Sequence, residues 1–314
     1  MTNAAARTAA HQARRSESAR GIAFMLAGMF LFSAVDAQTK YLVQELPALQ
    51  VAWARQSGMI VPILFILVLR GRGLLRTARP LLQLLRALLA ISSSILFIFS
   101  VRFVPLADAV AVSFVAPLAV TILGAIFLGE PVGLRRWTAV AVGFAGAMIV
   151  VRPGLGVIHP AALLVLIAST MFAGRQVITR LLSDSDDIIT TMAFSAIAGA
   201  VLLALPLPFV WQAPDSGLQV LLMASIAAGA AAGEFLVIKA LQVAQAVVVA
   251  PVQYTMLLWG TGYGYLVFGD LPDHWTLIGS AIIIGSGVYT FYRERRLAAA
   301  GQRTLARARR PGHV

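Results

Sequence analysis

The sequence predicts an all-α integral membrane protein of ten transmembrane helices, arranged as two inverted five-helix repeats. Three observations support this prediction. The 314 residues are 59% hydrophobic and only 12% charged, with a mean hydropathy of +0.85, and a soluble globule cannot bury so much apolar surface. Ten apolar stretches follow one another along the chain. The second five repeat features of the first five about 140 residues later.

Each apolar stretch has the length that a bilayer requires. A hydrocarbon core of about 30 Å is crossed by roughly 20 apolar residues in a helix. Little chain remains between the stretches, so we expect no separate soluble domain. The ten predicted spans are, in order, residues 21–43, 49–69, 82–103, 106–128, 137–152, 161–182, 188–210, 218–241, 245–268 and 275–292.

The internal repeat is visible in matched segments. FSAVDAQTKYL, which begins at Phe32, returns as FAGRQVITRLL from Phe172, with Phe, Thr, Lys or Arg, and Leu in register. FLGE, ending at Glu130, returns as VFGD, ending at Asp270. Because five is an odd number, the second set of five spans starts from the opposite side of the membrane, so the copies are inverted. Inverted repeats are a recurrent architecture of secondary transporters.

The basic residues indicate the orientation. The chain has 25 Lys and Arg against 13 Asp and Glu, a net charge of +12. With the N-terminus in the cytoplasm, most of these basic residues fall in cytoplasmic loops and tails, as the positive-inside rule requires. We therefore expect both termini in the cytoplasm and a basic tail facing lipid headgroups, with no nucleic acid as partner. We expect Arg86, near the inner end of span 3, to reach the headgroups as well. The predicted parts are an N-terminal tail (1–20), a first repeat (21–153), a second repeat (160–293) and a basic C-terminal tail (294–314).

Charged residues within the predicted spans are the first candidate site residues. Asp36 and Lys40 lie four residues apart on one face of span 1, and Arg55 lies at a similar depth in span 2. Arg175 in span 6 and Glu234 in span 8 form a second set, nearer the inner side. An unpaired charge at mid-bilayer costs about 3 kcal/mol, so each set is expected to form pairs. For the first set, a static pair between helices and a direct role in substrate binding or coupling both remain open. Together, the two sets would either act as gates that pair when one side of a cavity closes, or form static contacts between helices.

Neutral polar and aromatic residues are the candidates for contact with a substrate. Gln253, Tyr254 and Trp259 lie in span 9 after a proline, and Ser93 and Ser94 lie in span 3. A proline also stands near the middle of span 4. Proline frees a backbone carbonyl, and transporters line their binding sites with such helix breaks. The alternative is that these residues pack helices together, as small residues in membrane helices often do.

The sequence has no enzyme signature. No Walker A loop is present, so ATP is not expected to drive the protein directly. The four histidines lie in tails or loops without metal-ligand spacing, and the lack of cysteine excludes thiol catalysis and cysteine-ligated metals. We expect no catalytic residues, no metal and no cofactor. A membrane scaffold without transport activity is a distant alternative.

Motifs in both halves follow one another in a specific order. The first half has VPLADAVAVSFVAP from Val104, FLGE, RRW from Arg135 and RPG from Arg152. The second half has KALQVAQAVVVAPVQYTMLLWGTGYGYLVFGD from Lys239. This series resembles the drug/metabolite transporter superfamily, specifically its ten-helix EamA branch. Within that branch it is similar to the subgroup that contains S-adenosylmethionine and riboflavin uptake carriers.

The resemblance implies two EamA repeats around a central substrate cavity in the bacterial inner membrane. It favours uptake of a ring-bearing vitamin or cofactor, similar to riboflavin or S-adenosylmethionine. We expect alternating access, driven by protons or by the gradient of the solute itself, and the aromatic residues of span 9 would stack on such a ring. Export of amino acids or amphipathic toxic compounds is the alternative. The sequence leaves the coupling ion and the oligomeric state open.

Overall fold

The computed structural model describes residues 3–129, 133–152, 159–182, 185–244 and 246–308, and within these ranges all regular secondary structure is helical. Leucine and alanine favour helix, and a helix satisfies its own backbone hydrogen bonds in lipid. Two short 3-10 helices, Arg72–Leu75 and Ala250–Tyr254, lie among the α-helices. The α-helices are α1 (Asn3–Leu42), α2 (Ala48–Ser57), α3 (Ile60–Arg70), α4 (Pro80–Val101), α5 (Leu106–Ser113), α6 (Ala116–Phe127), α7 (Leu134–Val151), α8 (Ala162–Leu182), α9 (Ile188–Ala204), α10 (Leu207–Val210), α11 (Gly217–Val243), α12 (Ala246–Val249), α13 (Thr255–Phe268) and α14 (His274–Ala308).

Helical segments coincide with the predicted spans over the described ranges, but their lengths differ. Six stretches are long and apolar enough to cross a bilayer, and they correspond to predicted spans 1, 2, 3, 4, 6 and 8. Two shorter apolar stretches, Trp137–Val151 and Ile189–Ala204, correspond to spans 5 and 7. Span 9 is divided among α12, a 3-10 helix and α13. An all-helical membrane protein is therefore confirmed, whereas the number of ten crossings stays a prediction.

The first and last helices continue beyond the predicted spans. α1 begins at Asn3 and so includes most of the predicted N-terminal tail, and α14 ends at Ala308, inside the predicted C-terminal tail. Alanine and arginine are abundant in both tails and favour helix, so neither helix stops where the apolar residues stop. Glu130 of the FLGE motif lies outside the described residues, as do Pro153 and Gly154 of RPG.

Helices of the first half pack mainly against helices of the second half. α1 runs along α11, α4 along α8, and α7 along α14. Glycine permits the close approach of α7 and α14, since a Cβ built on Gly279 would lie 2.6 Å from the carbonyl oxygen of Gly146. The end of α2 meets α11 in the same way, because a Cβ on Gly58 would lie 2.9 Å from Ala227 Cα. Such small-residue contacts hold helices together in lipid, where the hydrophobic effect does not.

Apolar side chains cover the exterior as well as the interior. Buried Val35, Ile98 and Ile226 belong to one large core. On the outside, Val68 is 83% exposed and Leu266 is 78% exposed. Exposed apolar surface on this scale is unfavourable in water and favourable against lipid chains, so these faces are the lipid-facing ones.

Two of the predicted spans are interrupted at the same tripeptide, Val-Ala-Pro. In the first half, Phe114 and Val115 separate α5 from α6, and Ala116 and Pro117 begin α6. In the second half, residues 249–251 lie where α12 ends and a 3-10 helix begins. Proline has no backbone N–H and cannot donate to the carbonyl four residues earlier. The two breaks occupy the fourth predicted span of each repeat. Each half of the chain therefore supplies one span that is broken at this tripeptide.

Candidate functional site

A small cavity lies between the two helix breaks. Its volume is about 120 Å³, well below the roughly 300–1,000 Å³ of typical small-molecule sites. A metabolite with a fused ring therefore requires the surrounding helices to separate. The cavity is lined by Phe114, Pro117, Pro251, Gln253, Tyr254, Gly287 and Val288.

Tyr254 connects the three sides of this cavity. The centroid of its ring lies 4.9 Å from that of Phe114, with the planes tilted by 56°, which is within the range of favourable aromatic pairs. Its hydroxyl reaches α14 at Gly287, where any Cβ would collide with it. Gln253, the neighbouring residue, is exposed. Of the residues predicted to contact substrate, Gln253 and Tyr254 therefore share the cavity wall.

The other residues predicted to contact substrate lie elsewhere. Trp259 meets Phe30 of α1 edge to face, with ring centroids 5.2 Å apart. Ser93 is buried, and its hydroxyl donates to the carbonyl of Ala168 at 2.8 Å, which joins α4 to α8. Ser94 is half-buried. The structure does not bring these three residues to the cavity wall, and their part in binding stays a prediction.

Charged side chains join helices near their predicted outer ends, the ends opposite the termini. Arg55 Nη1 lies 2.6 Å from Asp36 Oδ1, and the Asp36 side chain is only 2% exposed. Lys40 does not form an ion pair with Asp36, which lies four residues earlier on the same helix. Its Nζ lies 2.9 Å from Asp270 Oδ2 and donates to the carbonyl of Val104 at 3.3 Å. The predicted outer set thus forms two separate pairs.

A further outer pair was not singled out from the sequence. Arg152 follows α7 in the left-handed conformation, with φ of 44°, and its Nη2 lies 2.7 Å from Asp273 Oδ2. Asp273 also accepts a hydrogen bond of 2.8 Å from the backbone N–H of Thr276. Burial opposes ionisation of Asp273, but the hydrogen bonds and the charge of Arg152 outweigh it and lower the pKa of this carboxyl below 3.8. The pair joins α7 to the start of α14.

On the predicted inner side, Arg86 is buried, which corrects the expectation that it reaches the headgroups. It is 7% exposed. Its Nε donates to Thr179 Oγ1 at 2.8 Å, and its Nη1 donates to the Thr191 carbonyl at 3.3 Å and to the Ser195 hydroxyl. These partners lie on α8 and α9, far along the chain from α4, so local sequence gave no sign of them.

Arg175 and Glu234 lie near Arg86 and are not joined to each other. Neither side chain makes a hydrogen bond or ion pair with the described part of the chain, and Arg175 Nε is buried without a partner. The Arg175 guanidinium lies 4.6 Å from the centroid of the Phe172 ring. Both arginines interact electrostatically with the Glu234 carboxylate. The inner cluster therefore consists of two guanidinium groups and one carboxylate.

Asp186 forms a polar junction outside the predicted spans, also on the inner side. Its carboxylate accepts hydrogen bonds from the Thr77 hydroxyl, from the Ala78 backbone N–H at 3.2 Å and from Gln83 Nε2 at 2.7 Å. Burial opposes ionisation, but these hydrogen bonds outweigh it and lower the pKa of Asp186 below 3.8. The junction ties the segment before α4 to the segment before α9.

The chain is similar to transporters over most of its length. It is 29% identical over 279 residues to an S-adenosylmethionine uptake transporter of Rickettsia felis, covering 88% of this chain and 94% of that one. It is 31% identical over 272 residues to a riboflavin transporter of Vibrio cholerae, covering 84% and 90%. It is 26% identical over 268 residues to a pseudopaline exporter of Pseudomonas aeruginosa, covering 84% and 93%.

A solved structure shares the fold. A crystal structure of a protein with 17% identical residues superposes with a TM-score of 0.57, covering 88% of this chain and 98% of its own. The sequence model of the EamA-like transporter family matches twice, over residues 19–152 and 159–292. With its apolar helices and transporter relatives, the protein is a multi-pass membrane transporter rather than an enzyme. The chain belongs to the EamA-like transporter family.

Proposed function

We propose that the protein is a secondary transporter that moves a small metabolite across the bacterial inner membrane by alternating access. The observation that carries this proposal is the cavity between two broken helices, each from the fourth span of its repeat. Inverted-repeat transporters build their midplane binding sites from such discontinuous helices. The proposed architecture is ten crossings in two inverted repeats, residues 21–153 and 160–293, with both termini in the cytoplasm.

The charged clusters act as gates in this proposal. Asp36–Arg55 and Lys40–Asp270 hold the outer ends of the helices together in this conformation. Arg175 and Glu234 remain apart on the inner side. When the cavity turns outward, the outer pairs open and Arg175 meets Glu234. A cavity of about 120 Å³ is too small for the substrate until one side has opened.

The favoured substrate is a ring-bearing vitamin or cofactor similar to riboflavin or S-adenosylmethionine, taken up by the cell. The named activities of the relatives support this choice. Phe114 and Tyr254 also offer aromatic faces at the cavity, and a stacked ring gains about 1 kcal/mol beyond the area it buries. Protons or the solute's own gradient supply the driving force.

Export is the second candidate. The relationship to a pseudopaline exporter supports it, and the mainly apolar cavity wall would also accept amphipathic toxic compounds or amino acids with apolar side chains. Uptake and export share the same architecture, because alternating access is reversible.

Counterflow in proteoliposomes tests the proposal. Vesicles loaded with unlabelled S-adenosylmethionine, riboflavin or amino acids should accumulate the same labelled compound in a saturable way. Tyr254→Leu should weaken the apparent affinity about fivefold, since it removes an aromatic contact worth about 1 kcal/mol. Tyr265→Leu is the matched control, because Tyr265 is 55% exposed on α13. Counterflow of amino acids alone would favour the exporter, and no counterflow at all would contradict transport.

A second comparison tests whether recognition extends along α13. Trp259→Ala should weaken apparent affinity several-fold at normal expression if Trp259 contacts the substrate. Gln253→Leu should change selectivity more than expression, because it removes a hydrogen-bonding group without opening a void. Parental transport with earlier melting of Trp259→Ala would instead assign Trp259 to packing against Phe30.

A further inference from the structure

Arg175 is a half-buried cation whose hydrogen-bonding capacity is largely unused within the described part of the chain. Its Nε is buried without a partner. Its guanidinium carbon lies 4.6 Å from the centroid of the Phe172 ring. A ring face attracts a cation but accepts no conventional N–H···O bond. A buried donor left in this way is unfavourable by itself, so the side chain is suited to an acceptor that arrives from outside the protein.

Glu234 provides the opposite charge at a comparable depth. Arg175 lies seven residues before the end of α8 and Glu234 nine residues before the end of α11. At a rise of 1.5 Å per residue these are about 10 Å and about 14 Å from the inner helix ends. The two groups interact electrostatically without forming an ion pair. A molecule with both charges can therefore contact the two residues together.

Arg86 is held in place by neutral partners and interacts with Glu234 without forming an ion pair. Three hydrogen bonds fix its guanidinium to Thr179, Thr191 and Ser195. Its positive charge nevertheless adds to that of Arg175, so the cluster carries one more positive than negative charge. This balance favours a ligand carboxylate beside the arginines, because the planar guanidinium group can donate two parallel hydrogen bonds to a carboxylate.

We infer that Arg175 and Glu234 bind the α-amino acid group of the substrate, its carboxylate on Arg175 and its ammonium on Glu234. This inference rests on the proposed transport function and narrows the substrate to a metabolite with an α-amino acid group, such as S-adenosylmethionine. A neutral flavin ring offers neither charge. The rest of the substrate would then occupy the aromatic cavity at Tyr254.

The test compares matched ligands on the purified full-length protein in detergent. Labelled S-adenosylmethionine is compared with its decarboxylated analogue, and L-methionine with its methyl ester, by equilibrium dialysis. Each intact α-amino acid should bind about 10- to 100-fold more tightly than its partner without a carboxylate, the range for a hydrogen-bonded charge pair. Equal affinities within both pairs, or no saturable binding of either pair, would overturn the inference.

Variants then identify the residues. Arg175→Gln should lower the affinity for S-adenosylmethionine to that for the decarboxylated analogue and leave the analogue's affinity unchanged. Glu234→Gln should weaken both, because both ligands carry the ammonium. Arg180→Gln is the matched control, exposed on the same helix. If Arg175→Gln melts early, Arg175→Lys keeps the charge and should keep part of the preference. An equal loss for both ligands in both Arg175 variants would overturn the assignment.

Counterflow separates this inference from the transport function itself. Counterflow of riboflavin without preference within either ligand pair would overturn the inference and leave transport intact. No counterflow of any compound would contradict transport, while the dialysis comparison would still decide whether the site binds α-amino acids.

Discussion

The outer and inner charged clusters contain the same kinds of side chain in opposite arrangements. On the outer side, Asp36 and Lys40 each have a partner of opposite charge, at 2.6 Å and 2.9 Å. On the inner side, Arg175 and Glu234 interact electrostatically without forming an ion pair. In the proposed mechanism, these outer pairs separate when the cavity opens outward.

The difference shows that a charged side chain can be removed from solvent in this fold without forming an ion pair. Leaving one member of a buried pair without its partner costs about 3–5 kcal/mol. The inner side lowers that cost by other means, through the Phe172 ring near Arg175 and three hydrogen bonds to Arg86. We therefore expect the outer cluster to stabilise this conformation. Under the proposed mechanism, the inner cluster binds a ligand or forms its pair in another conformation.

The largest expected effect is the loss of the Asp36–Arg55 pair. Arg55→Gln leaves the Asp36 carboxylate buried and uncompensated, so the free energy of unfolding should fall by about 3–5 kcal/mol. Thermal melting in detergent measures the effect. Arg102→Gln, at an exposed outer position, is the control. Melting of Arg55→Gln at the temperature of the control would show that the pair does not stabilise the outer side.

Exchange of the inner charges should affect transport more than stability. Arg175→Glu or Glu234→Arg alone should abolish counterflow, because each places like charges together. The double exchange should restore part of it by allowing the pair to form in the other conformation. Independent losses that simply add in the double variant would argue against coupling of the two residues.

Asp186 tests whether the inner side is anchored independently of its charged cluster. Asp186→Asn should lower the free energy of unfolding by about 1 kcal/mol at pH 7, a modest value because the carboxylate is partly exposed. Because the folded pKa lies below 3.8, this contribution is complete above that pH and disappears as the pH falls through the folded pKa. Denaturation curves of the parent and the variant should therefore converge in acid.

Asp187→Asn is the matched control for that experiment, since Asp187 caps α9 without a side-chain hydrogen bond. A constant difference between Asp186→Asn and the parent from neutral to acid pH would exclude ionisation of Asp186 as its source.

The smallest perturbation tests the assignment of outer and inner sides. The chain has no cysteine, so single cysteines can be labelled without background. Cysteines at Pro214 and His159 should react with a membrane-impermeant maleimide added outside the cell. A cysteine at Gly73, where a side chain meets nothing within 4 Å, should react only after the membrane is opened. Labelling of Pro214 and His159 only from the cytoplasm would refute the inverted repeat.

The helices and the Asp36–Arg55 contact could be predicted because they depend on local length and depth. Apolar stretches set the helix positions, and similar depth in two spans brings these charges within reach. Asp270 could not be assigned to Lys40 in the same way, because it follows its helix and lies 230 residues away. The hydrogen-bond partners of Arg86 could not be predicted either, because they lie on helices that are distant in the sequence.

The positions of Tyr254 and Trp259 could not be predicted from helical periodicity. The 3-10 helix Ala250–Tyr254 turns once every three residues, whereas the following α-helix turns once every 3.6. This change of pitch shifts the faces of the two segments relative to each other. Tyr254 reaches the cavity, and Trp259 reaches Phe30.

The close contact at Gly58 affects the positions of both charged clusters. This glycine at the end of α2 meets the α11 backbone at Ala227 so closely that a single methyl group would act as a wedge. α2 carries Arg55, and α11 carries Glu234 seven residues beyond Ala227. Gly58, which has no side chain, therefore sets the distance between α2 and α11, the helices that carry Arg55 and Glu234. The available space therefore restricts position 58 to glycine. An alanine there would push α2 and α11 apart, although it lies outside the proposed binding site.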